Sequence, residues 1–567
     1  MANFYHENRK FYLHQIDLGE IVEDLENGFR DDGPEALHSY EEAQKWYEMT
    51  LSNAGEICAD FIAPRAADVD EKGASYQDGK VEWAPETREN MHVLAQSGFM
   101  GGALPRRYGG LNLPVTVNNI IVEMVSQADA SLMNLFGLQD IAVTINKFGS
   151  PEQKERILPK FARGEVSGSM ALTEPEAGSD LQSVSLRAIE KDGQWYLDGV
   201  KRFITNGSGE VSLVLARSEE GSRGGRGLSM FLYERYRDDN MIVRRIENKL
   251  GIHGSPTCEL QFNMARAELV GRRKFGLIKY VMSLMNGARV AASAQALGIA
   301  QAAYEEAIQY ANEREQFGRK IVEIPAVYQM LKNMQAEIES TRILLYSTTR
   351  WVDLQEMYER QAERGEDIRA LKKRADAMAA FLTPLAKFTA TEMANKVSYD
   401  ALQIHGGCGY MKDFPIERLA RDARITNIYE GTTQLQVVAA IGGIHTNILD
   451  PEWEQLRALE IADLSDEKLQ IVQHIENFGA AVTKVKSIDA KEFHDFVANY
   501  LVEMASLIYR CALLLPIAER YPEKRELFDF FLMKAGLRIA SLIGEIDALS
   551  KRYGESIADL KNEFLRK

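Results

Sequence analysis

Only four cysteines, Cys58, Cys258, Cys408 and Cys511, occur in 567 residues, and no two of them form a CxxC pair. That spacing argues against a disulfide framework and fits a reducing compartment, so a cytoplasmic location is expected. The nine histidines include no HExxH and no cluster at zinc-ligand spacing, so no structural or catalytic metal is expected. Basic charge is in the minority. Lys and Arg number 67 against 83 Asp and Glu, for a formal net charge of -16. Such a surface is a poor match for nucleic acid or anionic membrane, although a local site for a nucleotide-containing ligand stays open. The opening residues MANFYHENRKFYLHQ have no apolar core and do not read as a secretory signal. The apolar stretch LIYRCALLLPIAERY is short and interrupted by Arg510. No transmembrane segment is expected from it, because a bilayer takes about twenty apolar residues. Short internal repeats are missing too.

Hydrophobic residues make up 45% of the chain, an ordinary share for a globular protein with real cores. The length sets a soft expectation of about four domains. Residues 1–40 are polar and close on DDGPEA, a turn-rich boundary. Residues 41–165 carry apolar groups at helical spacing, and SPEQKERILPKFARGE opens with Ser150 as N-cap, Pro151 at the first helical position and Gln153 completing a capping box. Residues 166–284 change texture. GQWYLDGVKRFITNG reads as two strands around an Asp198-Gly199 turn, VSLVLARS and LSMFLYER flank a glycine-rich loop, and CELQFNMARAELVG reads as a further strand. No helices intervene, which favours an antiparallel sheet or barrel. Residues 285–450 return to long helices, with a kink expected near Pro384 and a stop at Gly406-Gly407, as in an antiparallel bundle. Residues 451–567 form a further helical segment with two amphipathic helices. The expected class is α+β: an N-terminal all-α domain, a middle antiparallel β-domain, a four-helix bundle and an additional α-helical tail.

Four stretches concentrate chemistry. In NIYEGTTQLQ, Glu430 has no Lys or Arg in its local sequence. A carboxylate beside an aromatic ring and away from cations holds its proton more tightly, which suits a general base. The other reading is an acid near a helix N-terminus, favoured by backbone N–H groups. MALTEPEAGSDLQS lies at the helix-to-strand changeover and gathers Thr173, Gly178, Ser179 and Ser183. It reads either as a domain-joining turn or as a set of hydroxyl and N–H donors for a polar ring edge or phosphate. FITNGS leaves Thr205 with the same two readings. QIHGGCGYMKDFPIERLARDARI contains GGxG, but a helix precedes it, so the dinucleotide fingerprint fails and the glycines read as a helix stop that permits close backbone approach.

Together these stretches resemble the acyl-CoA dehydrogenase family. ALTEPEAGSDLQS is similar to the family's first signature, and QIHGGCGYMKDFPIERLARD matches its second at Gln403, Gly406, Gly407, Gly409, Tyr410, Asp413, Arg418 and Asp422. ANEREQFGRKI and IYEGTTQLQ are also family-like, and the motifs fall in family order across about residues 45 to 445. The tail after about residue 450 is similar to a larger subgroup that includes 3-methylthiopropanoyl-CoA dehydrogenases. The resemblance implies FAD as cofactor, an acyl-CoA substrate, an electron-transfer flavoprotein as acceptor and, for this subgroup, a homodimer. It implies that Glu430 is the catalytic base, removing the α-proton as hydride leaves the β-carbon for flavin N5. Met170, Leu172 and Thr173 match the segment along the flavin, Phe203 and Thr205 the positions that cover the ring and bond near N5, and Thr432 and Gln434 further FAD contacts. Arg314, Phe317, Gln403 and Gly407 match positions that reach the FAD of a neighbouring subunit. Ser179 and Arg289 match CoA-side contacts, while Tyr429 and Gly431 pack around the substrate.

Three departures from the pattern matter. Ala288 stands where some members carry an alternative base, so Glu430 has no competitor. Gln127 stands where glutaryl-CoA dehydrogenases carry a carboxylate-binding arginine, which disfavours a dicarboxylic substrate. Arg106 and Arg107 replace two acidic residues of a family loop and read as a solvated pair. Two rival functions remain open at this level: an acyl-CoA oxidase or related flavin oxidase on the same fold, and a non-catalytic assembly protein.

Overall fold

The computed structural model describes residues 2–33, 36–554 and 556–565. Pro34 and Glu35, within the DDGPEA boundary, lie outside the described residues. The chain divides into two compact units, one of residues 1–10, 18–303 and 405–430, the other of residues 11–17, 304–404 and 431–567.

In the first unit, helices Tyr40–Glu56, Val115–Ala128, Ala130–Phe136, Asp140–Phe148 and Pro151–Ala162 precede the strands. The capping box at Ser150 is formed as expected, with the Ser150 hydroxyl accepting from Gln153 N and the Gln153 side chain accepting from Ser150 N. The N-terminal segment is more than a polar extension. Arg9 is fully buried, donating to Glu123 Oε1 at 2.8 Å and to Gln127 Oε1 at 2.6 Å. A charge this deep is tolerated only because it is paired and hydrogen-bonded. Arg106 also departs from expectation: it is half-buried, ion-paired with the buried Glu26 and set over the Trp46 ring.

The seven-stranded sheet runs in the order Gly168–Ala171, Val211–Arg217, Arg187–Lys191, Gln194–Thr205, Thr257–Val270, Leu228–Glu234, with Met241–Ile246 paired to Thr257–Val270. A further pairing of Val211–Arg217 with Leu228–Glu234 closes five of these strands into a ring. Pairing is mostly antiparallel, but Gly168–Ala171 runs parallel to Val211–Arg217, a correction to the purely antiparallel expectation. The turn in GQWYLDGVKRFITNG is corrected as well. Gln194–Thr205 is one continuous strand, and the hairpin turn is the earlier Asp192-Gly193, at φ 52 and 76. Both Asp-Gly pairs carry the same local signal. Only Asp192-Gly193 has antiparallel partners on both sides, Lys191 facing Gln194. Gly199, at φ 143, instead lets the strand pass close to Leu186. The ring's interior is filled by Leu197, Phe231, Tyr233, Leu260, Phe262 and their neighbours. A second core joins the helices Asp140–Phe148 and Pro151–Ala162 to the other face of the strands.

In the second unit, helix Pro325–Glu363 and most of Arg369–His405 are long helices, and the latter continues through Pro384 without interruption. The helix stops at His405, where Gly406 takes φ 60. Tail helices Ser465–Lys486, Lys491–Arg520 and Arg525–Tyr553 follow. Lys491–Arg520 is long and apolar enough to cross a membrane by length and composition, a correction to the shorter reading of that stretch. Most of its apolar window is buried inside the protein, as in a core helix. It docks through Thr389 Oγ1 and Ser506 Oγ at 2.7 Å and through Arg510 Nη1 donating to Glu337 Oε2 at 2.7 Å.

Candidate active site

Helix Ile416–Thr426 ends on Thr426, and the loop 427–432 follows. Within it Glu430 takes φ 53 and Gly431 φ 89. Glycine adopts such a conformation freely, whereas a glutamate there is strained by about 1–3 kcal/mol. The surroundings hold it. In the first unit, the preceding Tyr429 hydroxyl donates to Gln295 Oε1 and lies 3.1 Å from Asn134 Oδ1. Burial pushes this phenol far above its ordinary range, so it remains a donor at any physiological pH. In the second unit, the Gly431 carbonyl accepts from Lys387 Nζ and Gln436 Nε2, each at 2.8 Å. Thr432 caps helix Thr433–His445 by accepting from Leu435 N at 3.4 Å.

Glu430 lines a cavity of about 70 Å³ in the first unit, together with Met170, Thr205, Ala288 and Tyr429. Arg289 sits nearby at 8% exposure, with Nη1 donating to Asn286 Oδ1 at 3.2 Å. Burial lowers the pKa of this guanidinium, and the negative charge of Glu430 opposes that shift. The absence of a cation near Glu430 therefore holds only for the local sequence. The fold brings one from about 140 residues earlier in the chain.

The first signature is fixed by a buried ion pair. Glu174 accepts from Lys201 Nζ at 2.9 Å, Ser185 N at 2.8 Å, Ser185 Oγ at 2.7 Å and Leu186 N at 2.9 Å. Lys201 Nζ also donates to the Leu172 carbonyl at 2.7 Å, and Arg202 N to the Thr173 carbonyl at 2.9 Å. Burial outweighs the pairing for Lys201 and holds its pKa down at about 8. These bonds tie Leu172 and Thr173 to strand Gln194–Thr205 where its register with Thr257–Val270 shifts between Lys201 and Ile204. The shift explains Phe203, which stands at φ 60 with 53% of its surface exposed, near the end of a strand whose other residues are buried or half-buried. Ser179 lies on the exposed loop that follows Thr173.

The remaining sequence-selected residues occupy separate places. Arg314 precedes a tight two-strand hairpin and Phe317 lies in its turn, at φ 55 and 90% exposed. Gln403 and Gln434 are exposed in the second unit. Gly407 in the first unit is exposed, and a Cβ built there meets nothing within 4 Å. Asp422 of the second signature is buried and accepts from Ile252 N, and burial pushes its pKa up to about 6. Sequence reading missed Lys201, Asn134 and Gln295. Lys201 had a weak signal, a lysine at an inward position of a strand pattern. Gln295 had one as well, an amide within the small-residue run of an Ala-rich helix. Among the described residues, no group of three or more His, Cys, Asp or Glu side chains is placed to hold a metal.

An exposed aromatic beside hydroxyls on a strand end, with open glycine backbone and an exposed arginine elsewhere, is a donor set that fits a flavin ring and a pyrophosphate.

Family models for the acyl-CoA dehydrogenase N-terminal, middle and C-terminal domains match residues 45–165, 169–265 and 278–441, and a further acyl-CoA dehydrogenase C-terminal model matches 445–529. The 3-methylmercaptopropionyl-CoA dehydrogenase of Ruegeria pomeroyi is 34% identical over 439 residues, 72% of each chain. A structure titled as the electron transferring flavoprotein of Acidaminococcus fermentans is 32% identical, with a TM-score of 0.61 over 70% of this chain and 97% of that one. An acyl-CoA dehydrogenase from Bacillus anthracis solved with FAD is 24% identical and shares the fold, with a TM-score of 0.76 over 88% of both chains. From the domain models in sequence order and the relative matched along most of its length, the chain belongs to the acyl-CoA dehydrogenase family.

Proposed function

We propose that the protein is an FAD-dependent oxidoreductase that converts an acyl-CoA thioester to a trans-2-enoyl-CoA, with Glu430 as the base. One observation carries this reading: Glu430 and Tyr429 share a single cavity with Met170 and Thr205, from two other family-like stretches. FAD supplies the hydride acceptor for the β-carbon. The FAD-binding residues are Met170, Leu172, Thr173, Phe203, Thr205, Thr432 and Gln434, with Arg314, Phe317, Gln403 and Gly407 reaching the cofactor of a second copy. Ser179 and Arg289 serve the CoA side of the substrate, and Arg289 also favours the ionised form of Glu430. The Glu430 carboxylate takes the α-proton, and its backbone N–H donates to the thioester carbonyl, lowering the cost of the charge that develops there. Tyr429 and Gly431 fix the loop that aims the carboxylate.

Electrons pass onward to an electron-transfer flavoprotein. The purified protein is expected to be yellow, to bleach anaerobically with an acyl-CoA and to reoxidise slowly in air. Rapid reoxidation with peroxide release would assign it to the oxidases instead, and a colourless protein without FAD would defeat the reading.

Arg314→Ala is expected to weaken FAD retention more than the chemistry. The guanidinium's fixed fork of donors suits a pyrophosphate, and Arg314 is exposed, so little stability is at stake. Cofactor occupancy after gel filtration decides this, and unchanged occupancy would remove Arg314 from the site.

The assembly is proposed to be a homodimer, since residues that serve a neighbour's cofactor require at least two chains. The tail helices bury their apolar faces within their own unit, in the manner of a cap. Light scattering should give a mass near two chains. A mass near four chains, independent of concentration, would overturn the dimer.

A further inference from the structure

We propose that Asn134, Gln295 and Tyr429 form a rigid hydrogen-bonded floor that ends the acyl cleft, so that the substrates are thioesters of short acyl chains. This rests on the reading that the cavity beside Glu430 receives the acyl group. Asn134 and Tyr429 line that cavity, whose walls include the apolar side chains of Met133, Leu138, Ile141 and Leu284. Gln295 stands behind them at 0% exposure.

The floor is internally satisfied. Gln295 Nε2 donates to the Ala130 carbonyl and to Asn134 Oδ1, both at 2.9 Å, and Gln295 Oε1 accepts from the Tyr429 hydroxyl. Asn134 Oδ1 thus accepts from Gln295 Nε2 and lies 3.1 Å from the Tyr429 oxygen, and Asn134 Nδ2 donates to Ser255 Oγ at 3.4 Å. A chain pushed past these groups would leave buried amide and phenol groups without partners. That loss exceeds what the burial of one or two further methylenes returns. Tyr429 is also the neighbour of Glu430, so displacing it would disturb the base.

Beyond Gln295 the Met282–Glu313 helix is closely packed against its neighbour. One turn further along the Met282–Glu313 helix, Gly298 packs against helix Val115–Ala128 so closely that a Cβ would lie 2.3 Å from the Glu123 carbonyl oxygen and 2.8 Å from Gln127 N. The Arg9–Glu123 pair and Gln127 are buried on that helix. An apolar tail would gain nothing beside a buried ion pair.

The test uses the FAD-loaded protein, reduced anaerobically with butyryl-, hexanoyl-, octanoyl- and palmitoyl-CoA. Unreactive S-alkyl-CoA thioethers of the same lengths are titrated by calorimetry. The expected result is kcat/KM highest for butyryl- or hexanoyl-CoA and lower by about tenfold or more for octanoyl-CoA, with thioether affinity following the same order. In Gln295→Ala the octanoyl-to-butyryl ratio should rise by about tenfold, as the floor loses its centre. Should that variant fail to fold, Asn134→Ala makes the same measurement, and the unmodified panel already decides the length preference. Best turnover with octanoyl- or palmitoyl-CoA, or a folded floor variant with an unchanged ratio, would overturn the proposal. Preferential binding of short thioethers without any bleaching would uphold the floor and defeat the dehydrogenase reading. Bleaching that favours long chains would do the reverse.

Discussion

Glu430→Gln should retain FAD and lose about a thousandfold or more of its acyl-CoA oxidation, because the amide cannot accept the α-proton. The substitution keeps the size of the side chain and leaves the backbone N–H of residue 430 in place. The loop should hold as well, since Tyr429 is anchored by Gln295 and Asn134 and the Gly431 carbonyl by Lys387 and Gln436. Binding of an acyl-CoA should therefore survive while bleaching slows. Arg289 provides an internal control. With the carboxylate gone, its buried guanidinium loses a charge that favours it, so some loss of stability should accompany the loss of rate. Rapid-mixing measurement of flavin bleaching separates the two effects. Turnover near that of the unmodified protein would move the base to another residue.

The largest effect on stability is expected from Glu174→Ala, at about 3–5 kcal/mol. Its partner Lys201 is fully buried, and the side chain of Glu174 is only 5% exposed. The variant removes one charge of the pair and strands the other, along with the Ser185 and Leu186 N–H groups that Glu174 accepts from. Lys201 already has a pKa held down at about 8 while the glutamate supports its charge. Without Glu174 the lysine should fall further and lose its proton in the folded state. Below its unfolded pKa that deprotonation costs stability, and the cost grows as pH falls. The destabilisation should therefore be larger at pH 6 than at pH 9. The double variant Glu174→Gln, Lys201→Met should recover part of the loss, because it leaves no unpaired charge. Denaturant unfolding of the three proteins at two pH values measures this. Equal stability of Glu174→Ala and the unmodified chain would mean that the pair does not hold the Leu172–Thr173 segment to its strand.

Periodic and capping signals were legible where structure is local. The box at Ser150, the stop at Gly406 and the strand alternation of residues 257–270 each follow from a few neighbouring residues. The Asp198-Gly199 turn misled, because a hairpin turn needs partner strands on both sides and the dipeptide alone does not supply them. The apolar helix Lys491–Arg520 misled through Arg510, which looks like an interruption until Glu337 and the Phe531 ring are placed against it. Glu430 was readable as an unusual acid, and the motifs around it were readable as those of one family.

By itself, the sequence determined the order of helical and strand regions, the family and the candidate base, since these depend on periodicity and on short motifs whose residues lie close together in the chain. Only the tertiary structure decided what surrounds that base. Arg289 near Glu430, the Lys201–Glu174 tie behind the Leu172–Thr173 segment and the Asn134–Gln295–Tyr429 cluster are each assembled from residues far apart in sequence. The charge, depth and rigidity of a site are set by groups brought together across such distances, and no local pattern encodes their meeting.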